Sequence, residues 1–187
     1  MTKRVIVSTI LGGITMILWT FVVNGILGFR VAMDMKQLKD ERAVYEVLKE
    51  HVTEPGRYAC NPAPEPGRGY PEGEPAFSIL YGGVGHEAAG MDTLIHLILV
   101  FVIVFLASFL LSRMSPAVLS RYGCRVLVFT GFGLLIALFS DLGHFGIADY
   151  PLKDALIIGL HNVVMWTVVG LVVGWRLKPL DENGEPA

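Results

Sequence analysis

The residues able to hold a ligand or move a proton gather in one part of this chain. Asp141 and His144 lie in a short polar stretch, His161 and Asn162 lie inside the apolar run that follows, and His96 lies inside another. Opposed imidazoles ligate haem b, and a histidine beside an acid holds a metal or hydrogen-bonds a quinone. With a rise of about 1.5 Å per helical residue, His96 lies about 6 Å beyond Asp92 and His161 about 10 Å beyond Asp154, so the two rings are expected at similar depth. An ionisable group inside a membrane span is a functional hypothesis by default. For His96, Asp141, His144, His161 and Asn162 three roles follow: hydrogen bonding between helices, binding of haem, metal or quinone, and a proton or solute path as in a small transporter. The first is the simplest, since Asn162, Asp141 or a carbonyl satisfies a neutral imidazole.

Other chemistry is not signalled. The string HEAAG at His86 lacks the second histidine of the HExxH zinc motif, and no serine elbow, phosphate-binding loop or dinucleotide fingerprint occurs. No catalytic residue is assigned and a non-enzymatic role is expected. Without a basic cluster, zinc spacing or RNA-binding signature, nucleic acid is not an expected partner.

The elements that must position these groups are apolar. Of 187 residues, 53% are hydrophobic and 17% charged, against about a quarter charged in soluble domains. Crossing a hydrocarbon core takes roughly 20 apolar residues, and four runs qualify: Val5–Phe29, Thr93–Ser112, Arg125–Ser140 and Ala155–Trp175. The run LIHLILVFVIVFLASFLL shows no polar stripe, which argues against a soluble bundle. The first run follows Lys3 and Arg4 like a signal peptide, but it is longer than a typical signal core and Arg30 spoils the cleavage pattern near Ala32, so an uncleaved anchor is expected. The expected fold class is mainly α and integral to a membrane: a four-transmembrane-helix bundle with a small α+β outer module between spans 1 and 2. Residues 1–29 form the tail and first span, 30–92 the module, 93–175 the remaining spans and 176–187 a cytoplasmic tail.

Positive residues near span ends favour the cytoplasm, and the turn SRMSPAVLSRYGCR carries Arg113, Arg121 and Arg125 without an acid. Lys3, Arg4, Arg176 and Lys178 fall on the same side. Both termini are therefore expected inside and residues 30–92 outside, where all five histidines then lie. Cys60 and Cys124 fall on opposite sides of the bilayer, so no intrachain disulfide is expected.

In the outer segment, DMKQLKDERAVYEVLKEHV has mostly helical spacing of apolar residues and predicts an amphipathic helix. Six of ten prolines fall between Pro55 and Pro75, a loop bracketed by the β-prone strings GRYACN and AFSILYGG. A helix and a two-stranded hairpin are marginal alone and need support. The order of elements, with its Gly-x-Tyr strand at Gly56 to Tyr58, Pro-rich loop and apolar strand at Phe77 to Tyr81, resembles a group of uncharacterised bacterial four-span membrane proteins. The resemblance implies the bacterial inner membrane and this architecture, and carries no activity with it.

Small and polar residues mark the packing faces. Thr9, Gly13, Thr20, Asn24 and Gly28 follow a near four-residue stride along the first span, as do Asn162, Trp166, Gly170 and Gly174 along the fourth. The string GLVVG permits close helix approach, within the chain or in a homo-oligomer. Asn24 and Asn162 should point into the bundle, because an unpaired amide in lipid costs several kcal/mol. The leading expectation is an accessory subunit of the bilayer whose module contacts another membrane or periplasmic protein, or lipid. The alternative is a haem b- or quinone-linked electron carrier using the outer histidines.

Overall fold

A computed structural model describes residues 2–34, 36–61, 66–67, 73–75, 77–83, 90–143 and 151–178. The chain divides into two compact units, residues 36–87 and the remainder. Four helices are long and apolar enough to cross a membrane: Lys3–Ile26, Met91–Ser112, Tyr122–Asp141 and Leu152–Arg176, hereafter spans 1 to 4. Their shortest length, 20 residues, corresponds to about 30 Å of helix. Span 3 begins one turn before the expected Arg125, since Tyr122, Gly123 and Cys124 join it.

Spans 1 and 3 both change pitch near one end. Span 1 is α-helical over Thr2–Thr20 and π-helical over Phe21–Ile26. Gly28 then turns the chain with φ +64°, and a short helix Phe29–Asp34 follows. Gly28 was expected on the packing stride, but a β-carbon there would meet nothing within 4 Å. Its role is the left-handed turn that a residue without Cβ adopts most readily, which also moves Phe29 out of span 1. Span 3 is α-helical over Tyr122–Ile136 and π-helical over Ala137–Asp141.

Span 1 packs against spans 2 and 4, and span 4 also packs against span 3. The core contains Val5 and Met16 of span 1, Val104 and Leu111 of span 2, Phe129 of span 3, and Trp166, Val169 and Val173 of span 4. Three helices converge at Gly12, where a Cβ would lie 2.7 Å from Val173 and 2.8 Å from Val104. The outward faces keep large apolar side chains uncovered, Phe139 being 89% exposed. Such a surface is compatible with lipid as the surrounding solvent.

The contact between spans 3 and 4 uses the GLVVG spacing. A Cβ on Gly170 would fall 2.6 Å from Phe129 Cβ, and one on Gly174 would fall 3.3 Å from Arg125 Cβ. Span 3 thus occupies the face that could have served homodimerisation, and the small residues close the bundle within one chain. A line of polar contacts follows the same seam. Tyr122 Oη donates to the Leu171 carbonyl (3.0 Å), the Thr130 and Thr167 hydroxyls meet at 2.9 Å, and Asn162 donates to Asp141.

The second unit holds a helix, Glu41–His51, and an antiparallel hairpin of β1 (Gly56–Cys60) and β2 (Phe77–Tyr81). The helix starts at Asp40, whose carboxylate accepts from the Ala43 N–H at 3.1 Å. Glu41 in its first turn and Lys49 in its last complement the helix dipole. Pairing runs from Gly56 opposite Tyr81 to Cys60 opposite Phe77. Arg57 Nε donates to Ser78 Oγ across the strands, and Tyr58 Oη donates to the Glu54 carbonyl. Cys60 and Cys124 are both free thiols. The Pro-rich loop falls largely outside the described residues.

Candidate functional site

The site is built around His161, in the third turn of span 4 and only 9% exposed. Its imidazole stacks on Phe29, with centroids 4.7 Å apart and planes at 22°, and Trp19 lies 6.0 Å from it with planes at 37°. Phe29 reaches this position because Gly28 reverses the backbone just before it. Trp19 comes from the last α-helical turn of span 1, immediately before the π turn.

Next in sequence, Asn162 points to span 3 and donates from Nδ2 to Asp141 Oδ2 at 2.7 Å. Asp141 closes the π turn of span 3. The approach is allowed by Gly159, where a Cβ would be 3.2 Å from the Ala137 Cβ. Arg30 and Asp141 both lie within electrostatic range of the imidazole. Among the buried polar atoms of span 1 that have no hydrogen-bond partner among the described residues are Trp19 Nε1 and Asn24 Oδ1. The first is a donor and the second an acceptor. π turns recur at functional sites because they shift side chains out of the α-helical register, and both turns in this bundle adjoin residues of this cluster.

The sequence-derived residues divide among several places. Asp141, His161 and Asn162 come together. His96 is exposed on span 2, and no ring contact joins it to His161, so the opposed imidazoles expected of a two-histidine haem site are not assembled. His96 lies on the same helical stripe as Val100, Val104, Ala107 and Leu111, but residues 91–99 of span 2 are all exposed, so the described residues leave that end of the helix uncovered. His144 lies outside the described residues. Thr20 and Asn24 are half-buried on span 1, and Gly170 and Gly174 form the seat of span 3. Among the described residues, no group of three or more His, Cys, Asp or Glu gathers into a metal shell.

Sequence reasoning missed Trp19 and Phe29. Both read as ordinary apolar members of one span, and the available signal was Gly28, a glycine directly before an aromatic residue at the end of that span. Ser8 and Ser108 were also missed; both are fully buried and their hydroxyls lack partners among the described residues.

The fold defines a class, a chain with four helices able to cross a membrane and a separate helix–hairpin unit. Comparisons with protein-family models, curated proteins and solved structures gave no match.

Proposed function

We propose that this chain is a multi-pass protein of the bacterial inner membrane that works as an accessory subunit, its helix–hairpin unit binding another membrane or periplasmic protein. The observation that carries this reading is the open state of that unit. None of its described residues is buried, and Leu80 is 81% exposed. Between helix and hairpin runs a groove of about 620 Å³, lined by Tyr45, Leu48, Val52, Ile79 and Tyr81, with Lys49 as the one charge among its described lining residues. Covering a large apolar side chain contributes about 1.5–3 kcal/mol, so a few of them suffice for micromolar binding after association costs. A protein suits the unit better than lipid does. Among the described residues the two-stranded sheet leaves both outer edges unpaired, and only a polypeptide supplies the N–H and C=O groups to complete them.

The proposed orientation has both termini in the cytoplasm. Its support is the positive turn with Arg113 and Arg121, together with Arg4, Arg176 and Lys178 at span ends. Affinity purification in mild detergent, with and without residues 34–83, tests the subunit reading. A partner that co-purifies with the full chain and is lost on deletion is the expected result. A solitary monomer in both preparations overturns it.

A second reading, a quinone-linked carrier, draws on the buried His161 in contact with two aromatic rings and on the Trp19 N–H and Asn24 oxygen, which have no partner among the described residues. A purified protein that yields quinone on solvent extraction supports it. Absence of quinone and of any haem absorption band removes it.

A further inference from the structure

Span 4 ends at Arg176, and the carbonyls of a last helical turn have no helical N–H left to accept from. Arginines from two other spans donate there, Arg125 to a carbonyl of the last turn and Arg4 to one just beyond the helix. Arg125, only 5% exposed, donates from Nε to the Gly174 carbonyl at 2.7 Å and also reaches the Leu119 carbonyl. Arg4 donates to the Lys178 carbonyl. Arg176 itself lies within repulsive range of Arg4.

These bonds cap the helix but do not neutralise the charge. Four cations, Arg4, Arg125, Arg176 and Lys178, surround one helix end, and among the described residues none of them meets a carboxylate. A helix C-terminus offers about half a negative charge, and the N-terminus of span 1 beside it offsets that with about half a positive one. Counted over the described residues, the surplus therefore stays close to four positive charges. The Nε of Arg4 is also buried without an acceptor among the described residues.

We infer that this end of the bundle binds the phosphate of an anionic phospholipid, held chiefly by Arg4 and Arg176 from the facing ends of spans 1 and 4. Guanidinium groups match phosphate oxygens in a fork-to-fork geometry. Basic clusters between span ends attract anionic head groups at the cytoplasmic leaflet. A lipid fits better than free phosphate because exposed apolar side chains lie within two helical turns of these arginines: Ile6, Val7 and Ile10 on span 1, and Leu171 and Trp175 on span 4. Acyl chains would cover them, with Trp175 at head-group level.

The site rests on the four helices crossing a bilayer, which recovery of the full chain in the membrane fraction checks separately. The probe is dioleoyl phosphatidylglycerol against dioleoyl phosphatidylcholine, added to the detergent-purified full chain and read by native mass spectrometry. Retention of the anionic lipid should exceed that of the zwitterionic one by about tenfold or more, allowing a several-fold gain for each arginine. R4Q/R176Q should abolish the preference, R4K/R176K should keep part of it, and R113Q should keep all of it. Thermal unfolding of the unaltered protein provides a variant-free reading, with the midpoint rising in phosphatidylglycerol and not in phosphatidylcholine. Equal retention of both lipids, or an undiminished preference in R4Q/R176Q, would overturn the inference. So would displacement of the lipid by millimolar inorganic phosphate, which would mark a site for the free anion.

Discussion

Asn162 Nδ2 donates to Asp141 Oδ2 at 2.7 Å, and this bond fastens span 4 to the π turn of span 3. It sits one residue from the buried His161, so the same turn of span 4 serves both the seam and the aromatic cage. Hydrogen bonds to a charged group are worth about 1.5–3 kcal/mol, most of it being the cost of leaving the partner unpaired. Asn162→Leu should therefore lower stability by about that amount in a detergent unfolding assay. The double variant D141L/N162L should recover much of the loss, because no unpaired carboxylate remains. A double variant as unstable as the sum of the singles would show that the two side chains act independently.

Gly170 is a packing position with little tolerance. G170A would place a methyl group 2.6 Å from Phe129 Cβ and 3.2 Å from the Val126 carbonyl, and overpacking of this kind costs about 1–3 kcal/mol. Gly131 on span 3 has open space around its Cβ position, so G131A should be neutral or stabilising by up to about 1 kcal/mol through helix propensity. Thermal unfolding of the two variants side by side separates crowding from propensity.

His161 is held by ring contacts with Phe29 and Trp19. H161F keeps a flat ring in the stack and should retain the unfolding midpoint, whereas H161A should lose about 2–4 kcal/mol to the cavity it leaves. If the chain carries a quinone, H161F should lose it while staying folded. Unfolding and quinone extraction measured on one preparation distinguish the structural role from the binding role.

Leu48 lines the groove of the helix–hairpin unit. L48D should reduce partner recovery at least tenfold, the equivalent of about 1.4 kcal/mol, without moving the unfolding midpoint of the four-span bundle. Asp40→Ala should cost the unit about 1 kcal/mol by removing its N-cap bond to Ala43, seen as faster hydrogen exchange in residues 41–51. A bundle destabilised by either change would contradict the division into two units.

Much of the candidate site was legible residue by residue. Asp141, His161 and Asn162 stood out because polar groups in an apolar run need partners, and the structure brings the three together. His96 looked equivalent in depth and shares the stripe of Val100, Val104, Ala107 and Leu111, yet residues 91–99 of span 2 are all exposed. A run such as LIHLILVFVIVFLASFLL sets the stripe and leaves open which of its turns other helices cover. The arginines around span 4 were read for orientation, and their donation to the Gly174 and Lys178 carbonyls was invisible because it joins residues 49 and 174 positions apart.

The sequence by itself determined where the helices lie, where the hairpin pairs and which segment stands apart. Backbone groups away from water must bond within their own segment, so length and hydropathy of a local run decide the element. Only the tertiary structure decided which face of each span meets another. In a membrane helix the core-facing and lipid-facing residues are both apolar, so periodicity carries little contrast. The choice falls to close approach at Gly12, Gly170 and Gly174, and to the turn at Gly28 that folds Phe29 onto His161.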